Sequence, residues 1–509
     1  MANLYTLLTD RFSGSPDAWA VETEDGRRFS YADLDRSCAR YARWLSTLGL
    51  APGERVAVQV EKSVEVLFFY LACLRAGLVY LPLNTAYRQA ELEYFLEDAE
   101  PALVVVDPAA APPLRPIADR RGVKHFHTLA QDGTGTLPDA ARGQESSFDT
   151  VARAADDLAV ILYTSGTTGR PKGAMLTHGS LVANALALLE AWGWRSDDVL
   201  LHALPLYHIH GLFVACHCAL LGGSHMILLP RFEPKSVIER LPRATVFMGV
   251  PTYYTRLLAD PALDATRCRN MRLFVCGSAP LLPQTFDEFR ARTGHTILER
   301  YGMTETGMNT SNPLGGPRVP GTVGRPLPGV EIRIVDESGK PVPEGDVGQL
   351  LVRGPNVFKG YWRRPEKTDE DFTPDGYFRT GDLARIEEHG HVAIVGRSKD
   401  LIISGGLNVY PKEVESWLDR LDGVLESAVI GVPHPDFGEA VTAVVVRKPG
   451  SEATEAGLIA ALKGSIAGFK VPKSIHFVDE LPRNTMGKVQ KNLLRERYGS
   501  GRPASSSAS

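Results

Sequence analysis

Along most of the first 300 residues, short β-rich runs alternate with helix-length amphipathic stretches. Residues 55–60 lead into 64–76, and 159–163 precede 180–192, the order expected of parallel strands covered by helices. The runs 103–106, 226–229, 245–248 and 273–276 are apolar throughout rather than alternating, as strands buried on both faces are. From about 330 to 395 the texture changes to alternating strands (330–335, 348–353, 391–395) separated by Gly, Pro and Asp turns. After residue 400 a helix (411–421), two strands (426–432, 440–447), a second helix (455–466) and a last strand (475–478) follow. The pattern predicts an α/β fold: a large N-terminal domain of several subdomains over residues 1–398, a small mobile α+β C-terminal domain over 399–500, and a disordered tail over 501–509.

The length of 509 residues fits two to four domains with large cores. A net charge of −4 without a run of like charges offers nothing to a nucleic acid or an anionic membrane surface. The longest uncharged apolar run, residues 66–74, stops at Arg75, far short of the roughly 20 residues a spanning helix needs. Asp10 and Arg11 interrupt any apolar leader, and the six scattered cysteines form no disulfide framework, so a cytoplasmic location is expected. Any phosphate bound must be held by local geometry.

One string can do that. After the apolar run 159–163 comes Thr164-Ser165-Gly166-Thr167-Thr168-Gly169-Arg170-Pro171-Lys172-Gly173, read here as leading into a helix. Its glycines allow close backbone approach, its hydroxyls and amides donate to phosphate oxygens, and Lys172 supplies charge. Arg170 and Pro171 separate Gly169 from Lys172, so this is not a Walker loop. The competing reading is an ordinary polar surface connection.

The ten-residue string resembles the phosphate loop of the adenylate-forming superfamily, which includes the acyl-CoA synthetases. Further strings recur in that family's order: Gly277-Ser278-Ala279-Pro280, Tyr301-Gly302-Met303-Thr304-Glu305, Tyr377 to Asp382, Gly396-Arg397-Ser398-Lys399-Asp400, and Pro482 to Lys488. The resemblance implies a ligase that joins a carboxylate to the α-phosphate of ATP and passes the acyl group to coenzyme A, with Mg²⁺ at Glu305. By the same resemblance Thr304 hydrogen-bonds the α-phosphate, Tyr301 lies against adenine, and Gly277, Ser278 and Ala279 line the base and acyl pocket. Glu299, Gly302 and Met303 belong with the nucleotide site. Asp382 is expected on the ribose hydroxyls, Arg397 on ribose or phosphate, and Lys399 at a hinge. Lys488 would bridge the substrate carboxylate and the α-phosphate, and the Ser404-Gly405-Gly406 turn would help admit coenzyme A. A lysine acetyltransferase acting on Lys488 would erase its charge.

For the acid itself, Arg300 precedes the Tyr-Gly pair, and Arg256 follows a stretch that borders the acyl pocket in the family. Buried guanidinium groups facing an apolar pocket are costly, whereas a second substrate carboxylate would satisfy their forks. This resembles the malonyl-CoA synthetases and predicts a small dicarboxylic acid, malonate or methylmalonate, with Ser278 as a further donor. Pairing of Arg300 with Glu299 or Glu305 is the rival arrangement. His208 and His210 resemble the family's gate beside the acyl site; together with His202, His217, His225, Cys216 and Cys218 they could alternatively be read as a metal cluster. Delivery to a carrier-protein thiol, another short acid, or a nucleotide-binding regulator without chemistry are the other functions weighed.

Overall fold

A computed structural model describes residues 3–12, 14–164, 171–484 and 487–499. The expected tail, 501–509, lies outside the described residues. The chain packs into two compact units, one of residues 1–332 and 352–378, the other of 333–351 and 379 onward.

The first unit carries two mostly parallel sheets. One has six strands in the order His125–Thr128, Leu103–Val106, Arg55–Gln59, Val79–Pro82, Leu158–Thr164, Lys172–Thr177. The other has nine, and at its centre Val199–His202, Val246–Gly249, Leu273–Cys276 and Ile297–Met303 lie side by side and parallel. Their continuous apolar sequences suit burial on both faces, and Phe247, Phe274 and Phe289 pack edge to face over them. The connections leaving these four strands, which hold residues 203–211, 250–256, 277–280 and 304–306, therefore open at one sheet edge, where α/β folds place their ligands. The helix Val64–Arg75 is buried all round, which explains an uncharged run with no polar face; Ser63 caps it, its hydroxyl accepting from Val66 N at 3.4 Å.

The Thr164–Gly173 string differs from its expected setting. Leu158–Thr164 and Lys172–Thr177 pair antiparallel with Thr164 opposite Lys172, so the described ends of the string belong to two neighbouring strands. The following helix, His178–Ala191, starts only after the second strand, capped by Thr177. A helix N-terminus is thus not part of the loop, because residues 172–177 find a better hydrogen-bonding partner in the neighbouring strand. Ser165, Gly166, Thr167, Thr168 and Gly169 lie outside the described residues.

The second unit holds most of a four-stranded sheet (Glu331–Val335, Gly348–Arg353, Phe378–Glu387, His391–Arg397) and the α+β region after it. There Val424–His434 and Gly438–Arg447 form a long antiparallel ribbon, with Ser474–Val478 parallel to the latter. Val429, Val441, Ala443 and Val445 pack against Leu418, Leu458 and Leu462 of the helices Pro411–Leu418 and Glu455–Lys463. This packing division sets residues 333–351 and 379–398 with the C-terminal region and does not fall at the sequence-based boundary of 398/399.

Among the described residues no helix is long and apolar enough to cross a membrane. All six cysteines are buried and unbridged.

Candidate functional site

At the shared sheet edge of the first unit, Glu305 is buried and accepts a hydrogen bond from the Tyr361 hydroxyl at 3.1 Å. The Lys172 ammonium lies 4.0 Å from the Tyr361 ring centroid and 3.8 Å from Asp371. Lys172 and Glu305 are thereby tied to one tyrosine, a residue the sequence reading did not single out. Burial and the Glu305 and Asp371 carboxylates push the Tyr361 phenol far up, so it stays a donor. Thr304, Tyr301, Gly302 and Met303 are half-buried beside it. The register of Ile297–Met303 with Gly307–Ser311 shifts between Tyr301 and Gly302, where a Cβ at 302 would sit 2.1 Å from the Gly307 carbonyl oxygen. Only glycine fits that bulge.

Arg300 is 3% exposed, and its Nε and Nη2 have no hydrogen-bond partner. Neither rival acid satisfies it: Glu299 accepts from Gly321 N at 3.2 Å, and Glu305 from Tyr361. Burial pulls the Arg300 pKa down to about 10, and the group stays charged at neutral pH. Gly277 is what admits it, because a Cβ there would lie 2.4 Å from the Arg300 Cζ. Next to Gly277, Ser278 adopts a left-handed backbone (φ 72°), a costly conformation for a serine, and its hydroxyl sits 3.4 Å from His210 Nδ1. Ala279 is half-buried after it. Burial and the Arg300 charge pull the His208 pKa down to about 4, so this half-buried imidazole is neutral.

Arg256 departs from expectation. It sits in the last turn of Pro251–Leu258, on an exposed residue, its charge felt by Tyr253; it is not buried beside Arg300. A helix surface position next to Thr255, also exposed, gives a long side chain water to enter.

The histidines do not form a metal centre: no group of three or more His, Cys, Asp or Glu among the described residues could hold an ion. His202 instead belongs to a buried chain that the sequence did not disclose. Lys62 Nζ lies 2.8 Å from His202 Nδ1 and 2.9 Å from its carbonyl, and His202 Nε2 lies 2.9 Å from the Gly211 carbonyl. Burial pulls the Lys62 pKa down to about 7.

In the second unit Asp382 is buried, its carboxylate 2.6 Å from Arg397 Nε, and its backbone N–H donates to the Thr380 hydroxyl at 3.0 Å. Lys488 follows a tight turn in which Gly487 has φ 73° and the Asn484 side chain accepts from Lys488 N at 2.9 Å. Residue 488 keeps solvent-accessible surface. The crowding of protein around its ammonium, with the Arg397 and Lys399 charges, nonetheless pulls its pKa down to about 8, against Asp382 and Asp400. Lys399 stands in the single turn Ser398–Asp400, and Asp400 pairs with Arg495. Ser404, Gly405 and Gly406 make the turn between Ile402–Ser404 and Leu407–Val409, with positive φ at both glycines.

Comparison with known proteins gives the family. The AMP-binding enzyme profile matches residues 8–362, and that of the AMP-binding enzyme C-terminal domain matches 413–488. The chain belongs to the AMP-binding enzyme family. It is 40% identical to mitochondrial malonate–CoA ligase of Mus musculus over 88% of this chain and 82% of that one. It is also 38% identical to a feruloyl-CoA synthase of an Amycolatopsis species over 95% and 97% of the two chains. Among solved structures, ATP-bound MatB from Rhodopseudomonas palustris superposes with a TM-score of 0.96 at 56% identity, covering 98% of this chain and 99% of that one. A benzoate CoA ligase from Burkholderia xenovorans superposes at 0.88 with 30% identity.

Proposed function

We propose that this family member is an AMP-forming acid–thiol ligase that adenylates malonate, or methylmalonate, with ATP and transfers the acyl group to coenzyme A. The observation that carries the choice of acid is the buried guanidinium of Arg300, whose Nε and Nη2 have no hydrogen-bond partner. A distal carboxylate would fill that place. Ser278 is the adjacent donor, and the exposed Arg256 would reach the acid from the rim. Malonate–CoA ligases among the relatives support the same reading.

A carboxylate is a weak nucleophile facing a polyanion, so the protein must offset charge and align both reactants. Glu305, a hard oxygen donor oriented by Tyr361, suits Mg²⁺, which supplies charge neutralisation at the phosphates. Thr164, Lys172 and the loop residues between them, with Thr304, would hold phosphate oxygens. Tyr301, Gly302, Met303, Glu299 and Ala279 would enclose the base, and Asp382 with Arg397 the ribose. Lys488 would stand between the two anions during adenylation, and neutral His208 would close the acyl side. The C-terminal region then turns about Lys399, from a boundary at 398/399, and the Ser404–Gly406 turn admits coenzyme A. Acetylation of Lys488 would silence the first step. Six buried, unbridged thiols support a reducing, cytoplasmic setting.

The test is pyrophosphate release and thioester formation with MgATP, coenzyme A and, in turn, acetate, malonate, methylmalonate and succinate. Malonate or methylmalonate should lead. Acetate outperforming malonate overturns the assignment.

A further inference from the structure

We propose that His210 is a substrate-binding and specificity-determining residue, donating through Nε2–H to the same distal carboxylate that Arg300 holds; this rests on the malonate reading above. His210 is 0% exposed and opens the π-helical segment His210–Cys216, a winding that recurs at functional sites. Its Nδ1 lies 3.4 Å from the Ser278 hydroxyl. We assign the hydroxyl as the donor to Nδ1, which leaves the imidazole proton on Nε2. That Nε2 is buried and has no hydrogen-bond partner. Buried N–H groups are nearly always satisfied, and an isolated orphan is costly, so a donor with no protein acceptor points to an acceptor that arrives with the substrate.

The orphan is not alone. Arg300 Nε and Nη2 are buried without partners as well. The two residues are joined through the Gly277–Ser278 turn: the Arg300 guanidinium packs on Gly277, and the next residue, Ser278, touches His210. The serine whose hydroxyl meets the imidazole holds a left-handed backbone. Three unpaired donors thus cluster beside one strained turn. Burial and the Arg300 charge hold His210 well below its usual range, so it acts as a neutral donor. A dicarboxylic acid satisfies all three donors, whereas a monocarboxylic acid of equal length leaves them buried and unpaired, which is how sites reject analogues lacking a polar group.

The experiment compares the full-length wild type with His210→Phe and His210→Asn, using malonate and propionate in the complete thioester assay, with thermal melts as the check on folding. For His210→Phe the malonate KM should rise roughly 10- to 100-fold, the factor carried by one hydrogen bond to a charged group, while propionate turnover and the KM for ATP hold. Asn keeps an N–H donor and should retain part of the malonate preference. An unchanged malonate KM, or an equal loss for both acids, overturns the inference while leaving the malonate reading intact. A wild type without malonate-dependent turnover overturns both. Should His210→Phe not fold, the Asn variant decides by the same malonate-to-propionate ratio.

Discussion

Arg397 and Asp382 face each other across adjacent antiparallel strands, Nε to Oδ1, at 2.6 Å. The guanidinium holds the carboxylate in a fixed orientation. Asp382→Asn should raise the KM for ATP roughly 10- to 100-fold, the scale of losing hydrogen bonds to a charged acceptor, and move the KM for malonate little. Initial-rate kinetics with each substrate varied in turn checks this.

On the proposed function Lys488 would serve adenylation in its protonated form, and its pKa is pulled down to about 8. The adenylation half-reaction, read by pyrophosphate exchange, should therefore fall as pH rises through about 8. Asp382 is one of the groups holding that pKa up, so Asp382→Asn should shift the fall to lower pH. In Lys488→Ala adenylation should drop by at least 100-fold, while thioester formation from supplied malonyl-AMP persists.

Gly277→Ala would place a methyl group 2.4 to 2.6 Å from three guanidinium atoms of Arg300. The far end of a flexible side chain gives way before backbone does. The fold should survive, with a melting temperature within a few degrees of wild type, while the malonate KM rises at least about tenfold as Arg300 loses its seat. Arg300→Met, which keeps the stem without the charge, should give the same malonate defect.

Lys62 is buried against His202 with its pKa at about 7 instead of its usual 10.5. Between those values the unfolded chain binds more protons than the folded one, so this group makes stability rise with pH, by up to about 1.4 kcal/mol per pH unit. Lys488 titrates in the same window, so the reading is a difference. Urea melts at pH 6.5, 7.5 and 8.5 should show wild type gaining on Lys62→Met as pH increases. The depressed histidines His178, His202, His208, His210 and His217 act below this window.

Much of the layout was legible because its signals are local. Gly277 and Gly302 stand where the backbone or a side chain must pass closely, and the continuous apolar strands announce a buried parallel sheet whose ends carry the motifs. What escaped depends on partners distant in sequence. Lys172–Thr177 is a strand because Leu158–Thr164 lies alongside, not because its own residues demand it. Two arginines of equal composition diverge, Arg300 seated on Gly277 and Arg256 on a helix surface, and nothing within a few residues of either tells them apart. The roles of Tyr361 and Lys62 follow from contacts made across 56 and 140 positions. Residues 333–351 join the second unit through pairing that no linear boundary expresses.

The six thiols sit inside the packed strands and helices, and burial pushes their pKa values up, to about 12 for Cys216 and Cys268 and further for the rest. For a ligase whose acceptor is itself a sulfur nucleophile, that interior placement has a chemical use. The mixed anhydride meets no rival thiolate from its own catalyst, and the pantetheine arm finds no exposed cysteine with which to form a mixed disulfide. Self-acylation and thiol trapping are suppressed by where the sulfur atoms lie, with no dedicated safeguard required.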